Sequence, residues 1–312
     1  GDYDGDFLHI WKNLQIFANN DILTSIMDEN YFDSRTPIAY ILHKLFNPFI
    51  DSEINFRQSV FLISLTTPVL FYYCLKKKFN NKENLLLLLI TSTIFLSPYF
   101  RTTAYWGLEE NYGIIFLLIS FLSLQSFLEN NQHKGIKIYS QLALLTLSSS
   151  LCFYFDQKLI FVPIICLIKI FYSNKMINFK ILSILFYLIF SIPYVYLISL
   201  WGSLIPSSSA ENRQLGDKIF LDHIGYTFTM IAFYLLPILM FKIKNLKNFF
   251  EEFFSNRLNI YLILIFIGYL CFLTFFSDFQ NTIIAGKGFI QKLSSILFES
   301  DTIGRIFTYL SF

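Results

Sequence analysis

Asp2, Asp4 and Asp6 crowd the start of the chain, and Asp4-Gly5-Asp6 forms an Asp-x-Asp pattern. Two carboxyl groups held this close can share a proton, bind a cation, or leave one of them with a raised pKa suited to a general base. The glycine between them lets the backbone turn so that both address one point. Helix capping or plain solvated charge accounts for the same residues, and the pattern alone does not choose between these readings. A second acidic pair, Glu109-Glu110, opens an apolar run. Ionisable groups in such a place either stand in interfacial water or face a polar cavity.

The basic residues Arg35, Arg101, Lys158, Arg213 and Lys218 are candidate phosphate ligands. Arg101 suits bidentate contacts to phosphate, or anchors a helix end. Lys158 lies in a tight Asp156-Gln157-Lys158 turn between two apolar runs. It would snorkel, meet an anionic headgroup, or pair with Asp156. His9, one turn past Asp6, and His223 are candidate proton shuttles or simple hydrogen-bonding residues. His43 and His133 show no partner pattern. Tyr105-Trp106 would stack on a sugar ring or belong to an interfacial aromatic belt.

The elements that must position these groups are apolar. Of 312 residues, 54% are hydrophobic and 15% charged, well below the roughly 25% charge of soluble domains. Apolar runs approach the roughly 20 residues that span a bilayer. They cover Phe56–Leu75, Leu85–Phe100, Tyr112–Leu128, Ile138–Phe155, Leu159–Tyr172, Ile181–Trp201, Ile224–Phe241 and Leu258–Phe276. The expected fold is all-α, a polytopic transmembrane helix bundle. Residues 1–55 form an outward loop with the acidic motif, 56–276 the bundle of about eight spans, and 277–312 an outward segment that begins a further span. Both ends read as cut, with a transmembrane helix expected before Gly1 and more after Phe312.

Every second loop is rich in lysine: Lys76, Lys77, Lys78 and Lys82; Lys134 and Lys137; Lys169, Lys175 and Lys180; then Lys242, Lys244, Lys247 and Arg257. The positive-inside rule makes these cytoplasmic and places the acidic motif outside. Within the first segment, Phe7, Ile10, Trp11, Leu14 and Phe17 recur at helical spacing, as do Ile38, Ile41, Leu42, Leu45 and Phe46 after Pro37. Both stretches are too short to span. They predict helices lying in the interface plane, or surface helices of a small outer domain. The four cysteines, Cys74, Cys152, Cys166 and Cys271, lie in or beside apolar runs and lack metal-site spacing. They read as packing residues. No Walker loop, dinucleotide fingerprint, His-Glu-x-x-His or Gly-x-Ser-x-Gly pattern is present. The net charge of +2 gives no sign of a nucleic-acid partner. The Phe, Ile, Asn and Lys content suggests an AT-rich bacterial genome, hence an inner (plasma) membrane location.

The arrangement resembles the GT-C superfamily of polytopic glycosyltransferases, of the protein mannosyltransferase and aminoarabinose transferase type, over roughly Gly1 to Tyr172. The resemblance rests on Asp4-Gly5-Asp6 with Phe7 and His9, and on Arg35-Thr36-Pro37-Ile38-Ala39-Tyr40-Ile41-Leu42, where Ile38 replaces the family's second proline, followed by Arg57. It rests further on Leu96-Ser97-Pro98 through Glu110-Asn111, and on Lys158. It departs in spelling the acidic motif Asp-x-Asp. It implies a polyprenyl-phosphate sugar donor, transfer with inversion on the outer face, and a lipid-linked glycan, lipid or protein acceptor. On this resemblance Asp6 is the base and Asp4 its assistant. Glu110, Lys158, Arg101, His9 and Tyr105 contact substrate, and an apolar cleft between spans takes the lipid tail. A divalent cation at Asp4 and Asp6 is compatible with this scheme but not required by it. The competing class is a lipid-linked glycan flippase or other transporter, which favours mid-span charges and broken helices.

Overall fold

The computed structural model describes residues 5–33, 35–79, 84–130, 135–173, 175–206 and 209, with helical positions scattered from 251 to 268. The chain divides into two compact units, Gly1–Leu215 and Gly216–Phe312. Most of the second unit lies outside the described residues, including the expected span Ile224–Phe241, nearly all of Leu258–Phe276, His223, and the lysines of the 242–247 loop. Asp2, Asp4, Lys82, His133, Lys134, Arg213, Lys218 and Cys271 lie outside them too. No strand occurs among the described residues.

The first unit opens with three short helices, α1 (Gly5–Asn19), α2 (Ile22–Ile26) and α3 (Ile38–Phe46). The helical stripe read in α1 buries Phe7, Ile10, Leu14 and Phe17. These side chains pack against Tyr31, Tyr40 and Phe56, so this face is occupied by protein. The last carbonyls of α1 are capped by a neighbour, because Lys44 of α3 donates to Phe17 O at 2.6 Å and to Asn20 O. In α3 the stripe is not the buried face. Ala39, Tyr40 and His43 are buried, whereas Ile38, Ile41 and Leu42 are only partly covered and Leu45 and Phe46 are 55% and 76% exposed.

Eight further helices follow among the described residues: α4 (Glu53–Ser64), α5 (Thr66–Lys78), α6 (Asn84–Ser92), α7 (Pro98–Trp106), α8 (Glu109–Glu129), α9 (Ile136–Phe155), α10 (Phe161–Tyr172) and α11 (Ile177–Trp201). Four are long and apolar enough to cross a membrane: α4–α5 taken together, α8, α9 and α11. The pair α6–α7, bent by 68°, makes a fifth if read as one broken span. Six of the eight expected spans fall within the described residues, and the structure reduces these six to four or five. The predicted span Leu159–Tyr172 contains only the twelve residues of α10 after a 3₁₀ turn. At 1.5 Å per residue that is about 18 Å, short of a roughly 30 Å hydrocarbon core. The stretch 101–111, left between two of the apolar runs, is mostly helix α7. Ser97 caps it by accepting from Phe100 N, Pro98 sits in the first turn, and Gly107 ends it at φ 69°. This left-handed conformation suits glycine.

Prolines shape two of the crossings. Pro68 lacks an N–H and crowds the carbonyl four residues back, at Ser64, which is where α4 gives way to α5. Pro193 lies inside α11, where Tyr154 of α9 has entered the hydrogen-bond ladder. Its hydroxyl donates to Phe190 O (2.6 Å) and accepts from Tyr194 N (3.0 Å). The neighbouring helix thus satisfies backbone groups that the proline turn leaves apart.

The bundle has two chemically different ends. Lys77 pairs with Glu129 at 3.3 Å, and Lys175 donates to Asn130 O, so the lysine-rich turns meet at one end. The other end gathers the first segment, the start of α8 and the ends of α9 and α11. Thr36 donates to Tyr154 O at 2.6 Å, Trp201 Nε1 to Ile26 O at 3.3 Å, and Ser209 to Asp33 O at 2.8 Å. The alternation of loop charge therefore sorted these segments into the two ends seen here. Cys74, Cys152 and Cys166 are buried free thiols, as their apolar surroundings suggested.

Candidate functional site

The segment between α2 and α3 is held from several sides. Asn13 of α1 donates to Phe32 O (2.9 Å) and accepts from Phe32 N (3.3 Å). Asp33 takes the Tyr40 hydroxyl on one oxygen (2.6 Å) and the Arg35 amide on the other (3.0 Å). Both tyrosines beside it, Tyr31 and Tyr40, titrate well above the ordinary phenol range, chiefly because they are buried and secondarily because Asp33 is near.

Held in this way, Arg35 reaches the start of α8. Its guanidinium forms a close ion pair with Glu110 and lies 3.8 Å from Glu109. Burial alone would lower the Arg35 pKa, but the carboxylates of Glu109, Glu110 and Asp33 outweigh it and hold the group above its usual value. Glu109 is 1% exposed, and neither of its oxygens has a hydrogen-bond partner among the described residues. Glu110 Oε2 is in the same state. Asp33 and Asp156 are buried as well. One guanidinium thus faces several buried carboxylates. A buried acid without hydrogen bonds is costly and is seldom kept for stability.

Gly113 allows this crowding. A Cβ there would meet Leu159 Cδ1 at 2.8 Å and Asp156 Cβ at 3.5 Å. The glycine lets the turn after α9 close onto α8 next to the acidic pair. Asp156 caps that turn by accepting from Lys158 N at 3.0 Å. The sequence offered an Asp156–Lys158 ion pair. The contact seen is to the backbone amide, and the Lys158 side chain is exposed.

Of the other residues singled out from sequence, Asp6 is exposed in the first turn of α1, and Asp4 lies outside the described residues. Asp6, His9 and Asn13, spaced three and four apart, share one helix face. Exposure falls along it from Asp6 through half-buried His9 to Asn13 at 2%. His9 Nε2 is 3.4 Å from Asn13 Nδ2, which is itself 3.4 Å from the Tyr40 hydroxyl. A polar stripe therefore runs from Asp6 to Asp33. On the far side of Phe7, the Arg57 guanidinium sits 3.6 Å above that ring and 5.3 Å from the ring of Tyr105. Arg101, on α7, is exposed. The structure thus ties Glu110 to Arg35 and places Tyr105 beside Arg57, whereas no contact joins Arg101 or Lys158 to either group among the described residues. No set of three or more His, Cys, Asp or Glu among the described residues is placed to hold a metal ion.

A groove of about 620 Å³ opens at the same end between α3, α4 and α8. Its walls are apolar, with Phe46, Phe49, Leu62 and Ile115 prominent. On its inner wall His43, which the sequence left without a partner, meets the Tyr112 hydroxyl at 2.9 Å. Burial pushes the imidazole pKa down to about 4, so it is neutral at pH 7.

These observations define a class: a helical protein with membrane-length helices whose acidic end carries a buried carboxylate–guanidinium cluster beside an apolar groove. Comparison with known protein families, with curated proteins and with solved structures found no match for this chain.

Proposed function

We propose that this protein is an integral-membrane glycosyltransferase that moves a sugar from a polyprenyl-phosphate donor to an acceptor hydroxyl on the outer face of a bacterial inner membrane. The observation that carries the reading is Glu109, a fully buried carboxylate without hydrogen bonds among the described residues, beside Arg35 and at the end of the bundle that the first segment covers. Strained, unevenly charged clusters of this kind gather at active sites more than in scaffolds.

In the proposed step Asp6, assisted by Asp4, removes the proton of the acceptor hydroxyl. That oxygen bonds to the anomeric carbon as the bond from this carbon to the donor phosphate oxygen breaks, inverting the centre. The polyprenyl phosphate leaves with the bonding electrons, and cationic groups stabilise it. Arg101 and Lys158 are exposed and have the reach of long side chains for this role. Glu110 and Arg35 hold sugar hydroxyls, with His9 and Tyr105 flanking them. The 68° bend between α6 and α7 favours a second reading, a lipid-linked glycan flippase, because transporters use broken helices.

The test is transfer of labelled sugar from polyprenyl phosphate by the purified protein in liposomes. Asp6→Asn is expected to lower the rate by at least about a hundredfold while the protein still inserts. A normal rate for that variant would reject Asp6 as the base. Movement of intact donor across the bilayer with no transferred product would favour the flippase.

A further inference from the structure

The groove between α3, α4 and α8 has an inventory of hydrogen-bonding groups that is almost fully used. Phe49 N donates to Asn47 Oδ1 at 3.0 Å, which turns the amide nitrogen the other way. That nitrogen donates to His43 Nδ1 (3.1 Å) and Ser59 Oγ (2.9 Å). With Nδ1 accepting, the neutral imidazole carries its proton on Nε2 and donates to Tyr112 Oη. The hydroxyls of Ser59 and Thr66 turn to the carbonyls of Phe56 and Ile63, both at 2.7 Å. The Tyr112 proton has no acceptor among the described residues. Among the described residues no lysine or arginine lines the groove.

The mouth is as informative as the floor. Leu62 and Phe46 beside it are 65% and 76% exposed, and Leu62 belongs to the membrane-length helix α4–α5. Tyr112 is three residues from the start of α8, about 4.5 Å along the helix axis. The opening is therefore lipid-facing and close to the level where hydrocarbon meets headgroup. Pockets of this size and lining take apolar ligands oriented by a few polar groups.

We propose that this groove is a binding site for an ester-linked glycerolipid, with an acyl chain along the apolar walls and its ester carbonyl accepting the Tyr112 hydroxyl proton. An ester carbonyl brings an acceptor and no proton, which is what the unspent donor requires. A phosphate at this depth would be a buried charge with no cation. A polyprenol hydroxyl would accept the Tyr112 proton too, but it would add a proton of its own where Asn47 Oδ1 already accepts from Phe49 N. Neither Asp6 nor Glu109 lines the groove, although Tyr112 is one turn from Glu109, and the binding proposed here does not depend on sugar transfer.

The test uses the full-length protein in nanodiscs and phosphatidylglycerol probes with a photoactivatable diazirine in mid-chain. One probe is ester-linked and the other is its ether-linked analogue. Peptides crosslinked around Phe46, Leu62 and Ile115 are quantified. The ester probe is expected to label this groove about five- to tenfold more than the ether probe, the worth of one hydrogen bond. Tyr112→Phe is expected to erase that preference, and Ile115→Trp, which fills the groove, to remove labelling by both probes. Equal labelling by ester and ether probes in the unaltered protein overturns the carbonyl assignment, even if Tyr112→Phe does not fold. Stronger competition by unlabelled polyprenol than by unlabelled phosphatidylglycerol overturns the glycerolipid. Unchanged labelling in a monodisperse Ile115→Trp preparation overturns the site.

Discussion

Replacing Arg35 by methionine keeps most of the stem and removes the only cation among the described residues that pairs with Glu109 and Glu110. Breaking a buried ion pair by deleting one partner costs about 3–5 kcal/mol, because the surviving charge stays buried. The exposures here select the lower end. The Glu109 side chain is 1% exposed, but Glu110 and Arg35 reach 11% and 23%, and water would relieve part of the charge. The expected loss is about 3 kcal/mol, roughly two orders of magnitude in the folded-to-unfolded ratio. Denaturant titration in mixed micelles at pH 7 measures it. Adding Glu110→Gln to Arg35→Met should recover at least about 1 kcal/mol, since it removes one of the orphaned charges. Two results would refute the reasoning: an Arg35→Met protein within about 0.5 kcal/mol of the unaltered one, or a double variant less stable than the single.

Glu109→Gln replaces a buried acid that lacks hydrogen bonds by a neutral group of the same shape. It should hold or raise stability, by up to about 2 kcal/mol, while lowering transfer activity, the usual trade at a strained site; a clear fall in stability by the same titration would mean the charge is structurally needed. His43 sets an acid limb. Its pKa falls from 6.5 to about 4 on folding. The unfolded chain therefore takes up the proton first, and stability fully present above pH 6.5 is lost as pH drops toward 4. At about 1.4 kcal/mol per unit the loss is on the order of 3 kcal/mol. His43→Gln should flatten this limb, and an unchanged slope between pH 6.5 and 4 would assign it to other groups.

Much of the scaffold was legible. Apolar runs located α4–α5, α8, α9 and α11, and the alternation of lysine-rich turns sorted the segments between them into two ends. Helix α7 was missed although Ser97, Pro98 and Gly107 signal its start and stop, because an aromatic, hydroxyl-rich stretch has no apolar stripe to mark it. Long-range charge pairing was out of reach. Arg35 appeared as one cation among several and Glu110 as one acid of a pair, and 75 positions separate them. No periodicity connects a loop to the first turn of a distant helix. Asp33 belongs to no motif, and its bond to Tyr40 depends on how the first segment folds back. His43 had one available clue, Asn47 a turn later on the same face, but its other partner, Tyr112, comes from α8.

Tyr154 serves two neighbours with its two ends. Its carbonyl holds the Thr36 hydroxyl, and its phenol replaces a rung of α11 at Pro193. Beyond that proline, Trp201 of α11 grips Ile26 O. The half of α11 after the proline is thus harnessed at both extremities to the acidic segment, whereas Phe179 at its opposite end packs with α8 and α9. The segment before α3 and the proline turn of α11 therefore share a single residue, Tyr154, as their common anchor.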